Sequence, residues 1–262
     1  MARSNRGLDI EPPVVSKRRL DVALVERGLV ASRERAQALI LAGQVKVDGR
    51  VVSKAGAPVA SDANVELVAP DHPYVGRGGV KLAHALDAFH LDPSGRDALD
   101  IGASTGGFTD VLLQRGARSV VALDVGHGQL DWRLRNDPRV AVRERVNARA
   151  LTRDDVPETV DLVTIDVSFI SLRHIFPPLA PLLPPAADVV ALVKPQFEAG
   201  REEVGAGGLV TDPTVHDAVL ARTTNDAGQS GLVRIAMTPS AITGATGNQE
   251  FFLHLRKSGI RN

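Results

Sequence analysis

Five short aliphatic segments recur from residue 98 onward, and they constrain the fold more than any other feature. They begin about 20 to 30 residues apart, and the stretches between them are compatible with helices. Strands that alternate with helices pair in parallel, because a helical crossover returns the chain to the same edge of the sheet. We therefore predict an α/β fold with a doubly wound, mostly parallel sheet. The segments are Ala98 to Ile101, Ser119 to Asp124, Val140 to Glu144, Asp161 to Ile165 and Asp188 to Val193, followed by a last apolar strand at Phe251 to Arg256.

The composition excludes several classes of protein. The chain has 262 residues, of which 44% are hydrophobic and 24% charged, as in an ordinary globular protein. It has no cysteine, so it can form no disulfide, thiolate nucleophile or cysteine-ligated metal site. The 7 histidines show no ligand spacing, and we predict no metal site. Apolar runs fall far short of the roughly 20 residues of a membrane helix, and the first ten residues are polar, so we expect a cytoplasmic protein.

The N-terminal part of the chain is basic. Residues 1 to 54 carry 11 Lys and Arg against 6 Asp and Glu, although the whole chain has 31 of each sign. Such an excess in one module indicates contact with a polyanion, and a disordered basic tail is the alternative. We place a flexible tail at residues 1–17, a small unit at 18–70, a linker at 71–75 and the α/β domain at 76–262.

The small unit has a helix–helix–hairpin pattern. Such a unit is marginal on its own and normally relies on a larger domain or on RNA. The predicted elements are a helix at Leu20 to Val25 closed by Gly28, a helix capped by Ser32 and ended by Gly43, a hairpin of Val45 to Val47 and Val51-Val52 around Asp48-Gly49, and a strand at Val65 to Val68.

A glycine-rich segment joins the first predicted strand of the α/β domain to the next helix. Its pattern from Asp100 to Phe108 is D-x-G-x-x-x-G-G-F, which is neither a dinucleotide fingerprint nor a P-loop. Glycines allow close approach of a ligand, and the acidic residue suits a cationic or zwitterionic one. Asp124 ends the second strand, where a carboxylate can accept hydrogen bonds from both ribose hydroxyls. Asn147 follows the third strand, where an adenine edge would lie. A tight turn without a ligand is the alternative for the glycines alone.

Lysine is rare in this chain, which makes its positions informative. Lysine can lose its proton when it is desolvated, whereas arginine cannot. Lys194 and Asp166 each end a predicted strand, and ligands of open parallel sheets bind beyond the carboxyl ends of the strands. Lys81 starts the helix before the sheet, and Glu250 starts the last strand. Each residue alone is typical of a surface salt bridge, but the four together indicate a reactive site.

These patterns resemble known families. Residues 18 to 69 resemble the S4 RNA-binding domain, the glycine segment with Asp124 resembles the S-adenosylmethionine site of class I methyltransferases, and Lys81, Asp166, Lys194 and Glu250 resemble the tetrad of FtsJ-like ribose 2′-O-methyltransferases. As a whole the chain resembles the TlyA (hemolysin A) family of rRNA methyltransferases. The motifs that carry this resemblance are Arg19-Leu20-Asp21 and Val45 to Gly49, Gly78 to Leu82, Leu99 to Phe108, Asp124 to Leu130, Asp166 to Ser171, Val193 to Glu198 and Gly247 to Glu250.

The resemblance implies a Rossmann-like class I methyltransferase fold with a small N-terminal α+β S4-like domain. It implies S-adenosylmethionine as cofactor, ribosomal RNA or ribosomal subunits as partners, and cytidine 2′-hydroxyls of 16S and/or 23S rRNA as substrate. Lys194 would act as general base, Lys81 and Glu250 would orient the hydroxyl, and Asp166 would hold the site electrostatically. The predicted cofactor-binding residues are Asp100, Gly102, Ser104, Thr105, Gly106, Gly107, Phe108, Asp124, Val125, Asn147 and Asp166, and the predicted RNA-binding residues are Arg19, Arg33, Arg35, Lys46, Arg50 and Phe169.

Several alternatives stay open at this point. A non-catalytic RNA-binding or ribosome-assembly factor would not need the four site residues, and a membrane-active hemolysin would need an apolar or amphipathic helix that the sequence lacks. Phe169 either stacks on an extruded nucleotide or packs under its loop. Two departures from the family are visible: residues 215–231 are short, which predicts a reduced helix, and Thr243 replaces an expected lysine or proline.

Overall fold

The computed structural model describes residues 17–30, 32–41, 43–68 and 72–259. The chain divides into two compact units, residues 1–73 and 74–262. The predicted tail lies outside the described residues except for Lys17, which begins a strand. Tyr74 and Val75, which we assigned to the linker, pack instead on the second unit, because Tyr74 lies against Gly79 and Val75 N donates to Asp110 Oδ2 over 2.8 Å.

The described residues of the first unit form two helices and two small sheets. Its two helices, its hairpin and its last strand match the sequence prediction, whereas β1 and β4 were not predicted. Each of these two strands has three residues, and they pair antiparallel with each other. A second antiparallel sheet has the order β3-β2-β5. The elements are β1 Lys17–Arg19, α1 Leu20–Glu26, α2 Arg33–Leu41, β2 Val45–Val47, β3 Arg50–Val51, β4 Pro58–Ala60 and β5 Val65–Leu67.

The core of the first unit follows the predicted apolar positions. Leu20 and Leu24 of α1 meet Ala36 and Ile40 of α2, and all four side chains are fully buried over Val45 of β2. Spacings of four residues place these side chains on one face of each helix. Burial of that face is therefore what holds the two short helices together.

The second unit is a seven-stranded sheet with helices on both faces. The strand order is β11-β12-β10-β9-β6-β7-β8, in which β10 to β8 run parallel and β12 and β11 antiparallel to their neighbours. The elements are α3 Arg77–Phe89, β6 Asp97–Ile101, α4 Gly107–Gln114, β7 Ser119–Asp124, α5 Trp132–Arg135, β8 Val140–Glu144, β9 Val160–Ile165, α6 Phe176–Leu179, β10 Asp188–Val193, α7 Pro195–Glu198, α8 Pro213–Gln229, β11 Leu232–Pro239 and β12 Phe251–Lys257.

The topology fixes where a ligand can bind. From β6 the chain builds outward through β7 and β8, then returns to the other side of β6 with β9 and β10. The crossover helices diverge at this switch between β6 and β9, which opens a crevice at the carboxyl ends of the two strands. The glycine segment follows β6 and Asp166 follows β9, so the fold brings two of the predicted motifs to this crevice.

One expectation about the end of the chain was wrong, and one strand was missed. The segment at 215–231 is not reduced, because α8 spans 17 residues and begins with Asp212 capping Thr214 N and Pro213 in its first turn. Strand β11 was not predicted. Among the described residues, no helix is long and apolar enough to cross a membrane.

Candidate active site

The carboxyl ends of β6 and β9 touch through backbone atoms. Asp166 N donates to Ile101 O over 2.9 Å, and Gly102 follows with φ of +85°. A Cβ at Gly102 would lie 2.4 Å from the Asp166 carbonyl oxygen. Only glycine fits here, because it tolerates both the left-handed backbone and the contact. This contact fixes the position of Asp166 relative to the glycine segment.

Lys194 and Asp166 form an ion pair at this edge. Pro195 lacks a backbone N–H and starts α7, which places Lys194 at the turn after β10. Lys194 Nζ lies 2.6 Å from Asp166 Oδ1, and the two side chains are 11% and 22% exposed. The pair lacks hydrogen-bond alignment, since Asp166 Oδ1 is buried and has no hydrogen-bond partner among the described residues. Lys194 Nζ instead donates to Ser168 Oγ over 2.8 Å.

Lys81 and Glu250 form a second, more buried pair. Lys81 Nζ donates to Glu250 Oε2 over 2.5 Å, and the side chains are 11% and 3% exposed. Lys81 lies in the second turn of α3, and Glu250 precedes β12. Gly244 packs against the carboxylate, where a Cβ would come within 2.4 Å of Glu250 Oε1. This close packing restricts Glu250 to the orientation that meets Lys81.

The register of the sheet brings the two pairs together. Val193 of β10 pairs with Phe251 of β12, so Lys194 and Glu250 occupy the next positions along the same antiparallel ladder. The four predicted residues therefore form two ion pairs at one edge of the sheet. Each pair contains one lysine held by a carboxylate, so two amine groups lie beside the crevice.

A cavity of about 180 Å³ lies next to Asp166. The start of α3 closes it on one side, because a Cβ at Gly107 would approach Gly79 N to 2.9 Å. The Asp166 carboxylate reaches this cavity through Oδ2, which lies 3.9 Å from the position of a Cβ at Gly78, and a carboxylate oxygen can accept further hydrogen bonds. The donor set therefore fits a ligand that carries positive charge. The lining residues are Gly78, Gly102, Ala103, Ser104, Thr105, Gly107, Phe108 and Asp166.

Asp124 lies at the end of β7, as the sequence predicts, and its carboxylate is tied to the backbone. Ser104 N donates to Oδ2 over 2.8 Å and Gly126 N to Oδ1 over 2.7 Å. The cavity beside it is only about 10 Å³, because Gln129 lies over Gly126 and accepts a hydrogen bond from Ser104 Oγ over 3.2 Å. Val125 is 72% exposed next to this narrow space.

The remaining residues of the glycine segment shape the turn into α4. Gly106 has φ of +99°, and a Cβ there would clash with Leu130 and Leu134 of the segment that packs below. Phe108 is buried in the core, where its ring lies 6.1 Å from that of Phe252. Phe108 therefore holds the start of α4 in place while its edge lines the cavity.

Two predicted cofactor residues have other partners in the structure. Asp100 is fully buried, and its carboxylate accepts hydrogen bonds from Thr109 over 2.7 Å and Thr164 over 2.9 Å. Burial raises the pKa of Asp100 to about 7. It joins β6 to α4 and β9 and does not line the cavity. The exposed Asn147 accepts a hydrogen bond from Arg149 N over 3.0 Å and so caps a short 3₁₀ turn.

Within the first unit, two of the predicted RNA-binding arginines are tied to a buried carboxylate. Arg19 donates twice to Asp21, over 3.0 Å each, and Arg33 donates once over the same distance. Hydrogen bonds from Arg19 above all, then from Gln37 and Arg33, hold the pKa of Asp21 far below its usual range despite burial. Both arginine side chains stay 54% exposed, so their outer faces remain accessible.

The other predicted basic residues of this unit differ in their surroundings. Arg35 Nη2 donates to the His72 carbonyl oxygen over 3.3 Å. Lys46 and Arg50 lie on the hairpin, and neither forms an ion pair or a hydrogen bond through its side chain with the part of the chain that the structure describes. The hairpin thus offers cations that a polyanion can bind without breaking an internal contact.

Phe169 is presented outward rather than packed under its loop. Its side chain is 89% exposed, and its φ of +62° is strained for an aromatic residue. The ring contacts Phe197, with centroids 5.0 Å apart. Residues with a strained backbone cluster at functional sites.

The sequence did not single out three residues that contact this site. Ser168 bonds to Lys194, Gln129 covers Asp124, and the partly buried Glu198 accepts hydrogen bonds from Ser171 Oγ over 2.5 Å and Leu172 N over 2.8 Å. Ser168 and Glu198 belong to the motifs that contain Asp166 and Lys194. Their closeness in sequence to these two residues is the feature from which a role in the site could have been predicted. Among the described residues, no group of three His, Asp or Glu side chains could hold a metal ion.

Comparison with known proteins identifies both units. The sequence profile of the FtsJ-like methyltransferase family matches residues 74–257, and that of the S4 domain matches residues 18–65. The 16S/23S rRNA (cytidine-2′-O)-methyltransferase TlyA of Mycobacterium tuberculosis is 47% identical over 239 residues, covering 91% of this chain and 89% of that protein. The 23S rRNA (cytidine-2′-O)-methyltransferase TlyA of Campylobacter jejuni is 33% identical, covering 71% and 72%.

A solved structure agrees with this relationship. A protein from Streptococcus thermophilus, named as a hemolysin, superimposes with a TM-score of 0.73 and 42% sequence identity, covering 94% of this chain and 90% of that one. These similarities extend over both units. The chain therefore belongs to the TlyA (hemolysin A) family of FtsJ-like methyltransferases that carry an N-terminal S4 domain.

Proposed function

We propose that this chain is a cytoplasmic enzyme that methylates the 2′-hydroxyl of cytidine in ribosomal RNA, with S-adenosylmethionine as methyl donor. The observation that carries the proposal is that Lys194 pairs with Asp166 and that Lys81 pairs with Glu250. Lys194 and Glu250 face each other at the end of the β10–β12 ladder, so the two pairs lie together beside the crevice. Relatives named as 16S/23S or 23S rRNA (cytidine-2′-O)-methyltransferases support the choice of substrate.

The ribose hydroxyl is a weak acid, so its attack on a methyl group needs a base and close placement. Lys194 accepts the hydroxyl proton at Nζ after it has released to solvent the proton that it carries in the ion pair with Asp166. Lys81 of α3 and Glu250 directly before β12 orient the hydroxyl, and Asp166 stabilises the Lys194 ammonium that forms. Because no covalent intermediate is required, we expect positioning to supply much of the acceleration.

The cavity beside Asp166 supports S-adenosylmethionine as the donor. When bound, this cofactor supplies an electrophilic methyl group on a positively charged sulfur. Asp166 would hold the positive charge, and the glycine segment from Gly102 to Gly107 would hold the amino acid part through backbone groups. Asp124 would accept hydrogen bonds from the ribose hydroxyls once Gln129 has moved aside.

RNA binding would involve both units. Lys46 and Arg50 would contact phosphates, and the outer faces of Arg19, Arg33 and Arg35 would add to the basic surface. Phe169 would stack on the extruded cytosine, since its ring is exposed next to the Lys194 edge. Phosphate contacts position the RNA, and the extruded base brings its ribose to Lys194.

Two other functions are less well supported. A non-catalytic RNA-binding factor would have no reason to keep both lysine–carboxylate pairs with this geometry, and calorimetric titration with S-adenosylmethionine separates it from an enzyme. The hemolysin name of the Streptococcus relative suggests a membrane-active protein, but no described helix is suited to cross a membrane.

The test of the proposal is mass-spectrometric mapping of methylation on small subunits, large subunits and free rRNA incubated with the protein and S-adenosylmethionine. We expect 2′-O-methylcytidine at defined positions with the wild type and none with Lys194→Ala. Methyl groups found only on bases, or no methylation of any rRNA by a protein that binds S-adenosylmethionine, would overturn the proposal.

A further inference from the structure

The direction of the Lys194 amine is set by one contact. Its Nζ lies 2.6 Å from Asp166 Oδ1, but that oxygen has no aligned hydrogen bond. The hydrogen bond from Nζ to Ser168 Oγ, at 2.8 Å, has proper geometry. An ion pair without alignment attracts the amine but leaves it free to rotate, whereas a hydrogen bond is directional. Ser168 is therefore the contact that orients Nζ.

Orientation matters because a neutral amine has two N–H donors and a single lone pair. The lone pair must face the ribose hydroxyl when the proton is transferred. With one N–H directed to Ser168 Oγ and the other drawn toward the Asp166 carboxylate, the lone pair is left for the substrate. We infer that Ser168 is a positioning residue that aims the lone pair of Lys194 at the ribose 2′-hydroxyl.

The loop that carries Ser168 is built to keep this hydroxyl in place. Three and four residues further on, Ser171 Oγ and Leu172 N both donate to the partly buried carboxylate of Glu198, which lies four residues after Lys194. Phe169, on the same loop as Ser168, contacts Phe197 of α7. Burial raises the pKa of Glu198 above its usual range, and the two hydrogen bonds oppose that rise only in part. These contacts join the loop after β9 to α7, which begins directly after Lys194, and so fix the Ser168–Lys194 distance.

This inference rests on the proposed function, and it is tested with Ser168→Ala, Ser168→Thr and a matched control. Ser168 is exposed, so neither change disturbs the core. The control is Ser119→Ala, which removes a hydroxyl that donates to Asp97 over 2.8 Å at the start of β7, away from the site. Single-turnover methylation on saturating rRNA and S-adenosylmethionine isolates the chemical step.

We expect Ser168→Ala to slow the single-turnover rate about 10-fold, as loss of one hydrogen bond made in the transition state does. The affinities for S-adenosylmethionine and rRNA should stay unchanged, and so should the melting temperature. Ser168→Thr keeps the hydroxyl and should restore most of the rate, and Ser119→Ala should match the wild type. A purely structural role would instead change affinity or stability and would leave the chemical step intact.

A wild-type rate for Ser168→Ala would overturn the inference, and so would a Ser168→Thr variant as slow as Ser168→Ala. A second measurement does not depend on methylation. In protein labelled with ¹⁵N-lysine, Ser168→Ala should shift the Nζ resonance of Lys194 and leave that of Lys46 unmoved. If no rRNA is methylated, the proposed function fails, and the resonance still decides whether Ser168 orients Lys194: an unmoved Lys194 signal would contradict it.

Discussion

Gly102→Ala tests whether the backbone contact between β6 and β9 builds the site. The added Cβ meets two penalties: a left-handed φ of +85° and an approach of 2.4 Å to the Asp166 carbonyl oxygen. The matched control is Gly95→Ala. Its φ of +71° imposes the same kind of strain, but a Cβ there has no atom within 4 Å. The pair of variants separates backbone strain from displacement of Asp166.

The expected magnitudes differ clearly. Backbone strain costs roughly 1–2 kcal/mol at each position. Crowding adds about 1–3 kcal/mol at Gly102 alone, since backbone cannot move aside as a flexible side chain can. Gly102→Ala should therefore lose about 2–5 kcal/mol of unfolding free energy and Gly95→Ala about 1–2 kcal/mol. In a domain of this size each kcal/mol lowers the melting temperature by roughly 2–4 °C.

Calorimetry of the transition of the second unit measures these losses, and single-turnover methylation is then compared at a temperature where both variants are folded. We expect Gly102→Ala to lose at least about 10-fold in rate, because its Cβ displaces Asp166 from Lys194. Gly95→Ala should keep the wild-type rate. Equal melting temperatures and equal rates for the two variants would refute the role of this contact.

Four further predictions follow from single contacts. Hydrogen bonds, chiefly from Arg118, hold the pKa of Asp97 at about 2. Ionised Asp97 therefore adds about 2 kcal/mol to the free energy of unfolding above pH ~4, and this contribution is lost as the pH falls toward 2. In acid-unfolding curves, Asp97→Asn should weaken the fall in stability between pH ~4 and 2. Burial raises the pKa of Asp100 to about 7, so the unfolding free energy should decline as the pH rises from about 4 through 7 in the wild type and stay level in Asp100→Asn. Asp124→Ala should weaken S-adenosylmethionine binding in calorimetry with little change in the melting temperature of the ligand-free protein; unaltered affinity would remove Asp124 from the cofactor site. Lys46→Glu with Arg50→Glu should weaken rRNA binding, measured across a salt series, and reduce its salt slope by about 1 or more per lost phosphate contact, while S-adenosylmethionine affinity stays constant.

The parallel strands could be predicted closely from the sequence because they are buried on both faces. Every residue of β6 and β10 is buried, and β10 reads as a continuous apolar run after Asp188, whereas Asp97 and Asp100 interrupt the apolar residues of β6. Strand β11 gave no such signal. It lies at the edge of the sheet, and Val233, Ile235 and Met237 on it are about half exposed. The short strand β1 has the sequence Lys-Arg-Arg, which no periodicity rule assigns to a strand.

The site could be predicted in its residues but not in its pairings. The sequence places Lys194 and Asp166 each at the end of a predicted strand. Because these two strands are parallel neighbours in the sheet, the two side chains meet. That Glu250 lies beside Lys194 depends on the register between β10 and β12, and that it meets Lys81 depends on how α3 packs; no local pattern encodes either. Asp100 can be buried because Thr109 of α4 and Thr164 of β9 donate hydrogen bonds to its carboxylate, and these partners lie on other elements. Ser168 is a loop serine, and only its distance to Lys194 distinguishes it from others.

The roles of the arginines illustrate the same limit. Arg19 and Arg33 carry the charge expected of an RNA-binding surface, yet both hydrogen bond to the buried Asp21. Sequence reasoning counts charges but cannot see which of them are already paired within the fold. Lys46 and Arg50 could be preferred as the proposed phosphate contacts only once the internal partners of the other residues were known.

The most direct test of the central claim separates the chemistry of Lys194 from its charge. Arginine at this position keeps the positive charge but stays protonated, so it cannot act as a base. In single-turnover assays on saturating rRNA and S-adenosylmethionine, Lys194→Arg should lose methyl transfer nearly as completely as Lys194→Ala, by about 10²- to 10⁴-fold. Lys81→Arg, which can keep the ion pair with Glu250, should lose less. A Lys194→Arg variant that turns over at a rate near that of the wild type would contradict the account and leave Lys194 as an electrostatic group alone.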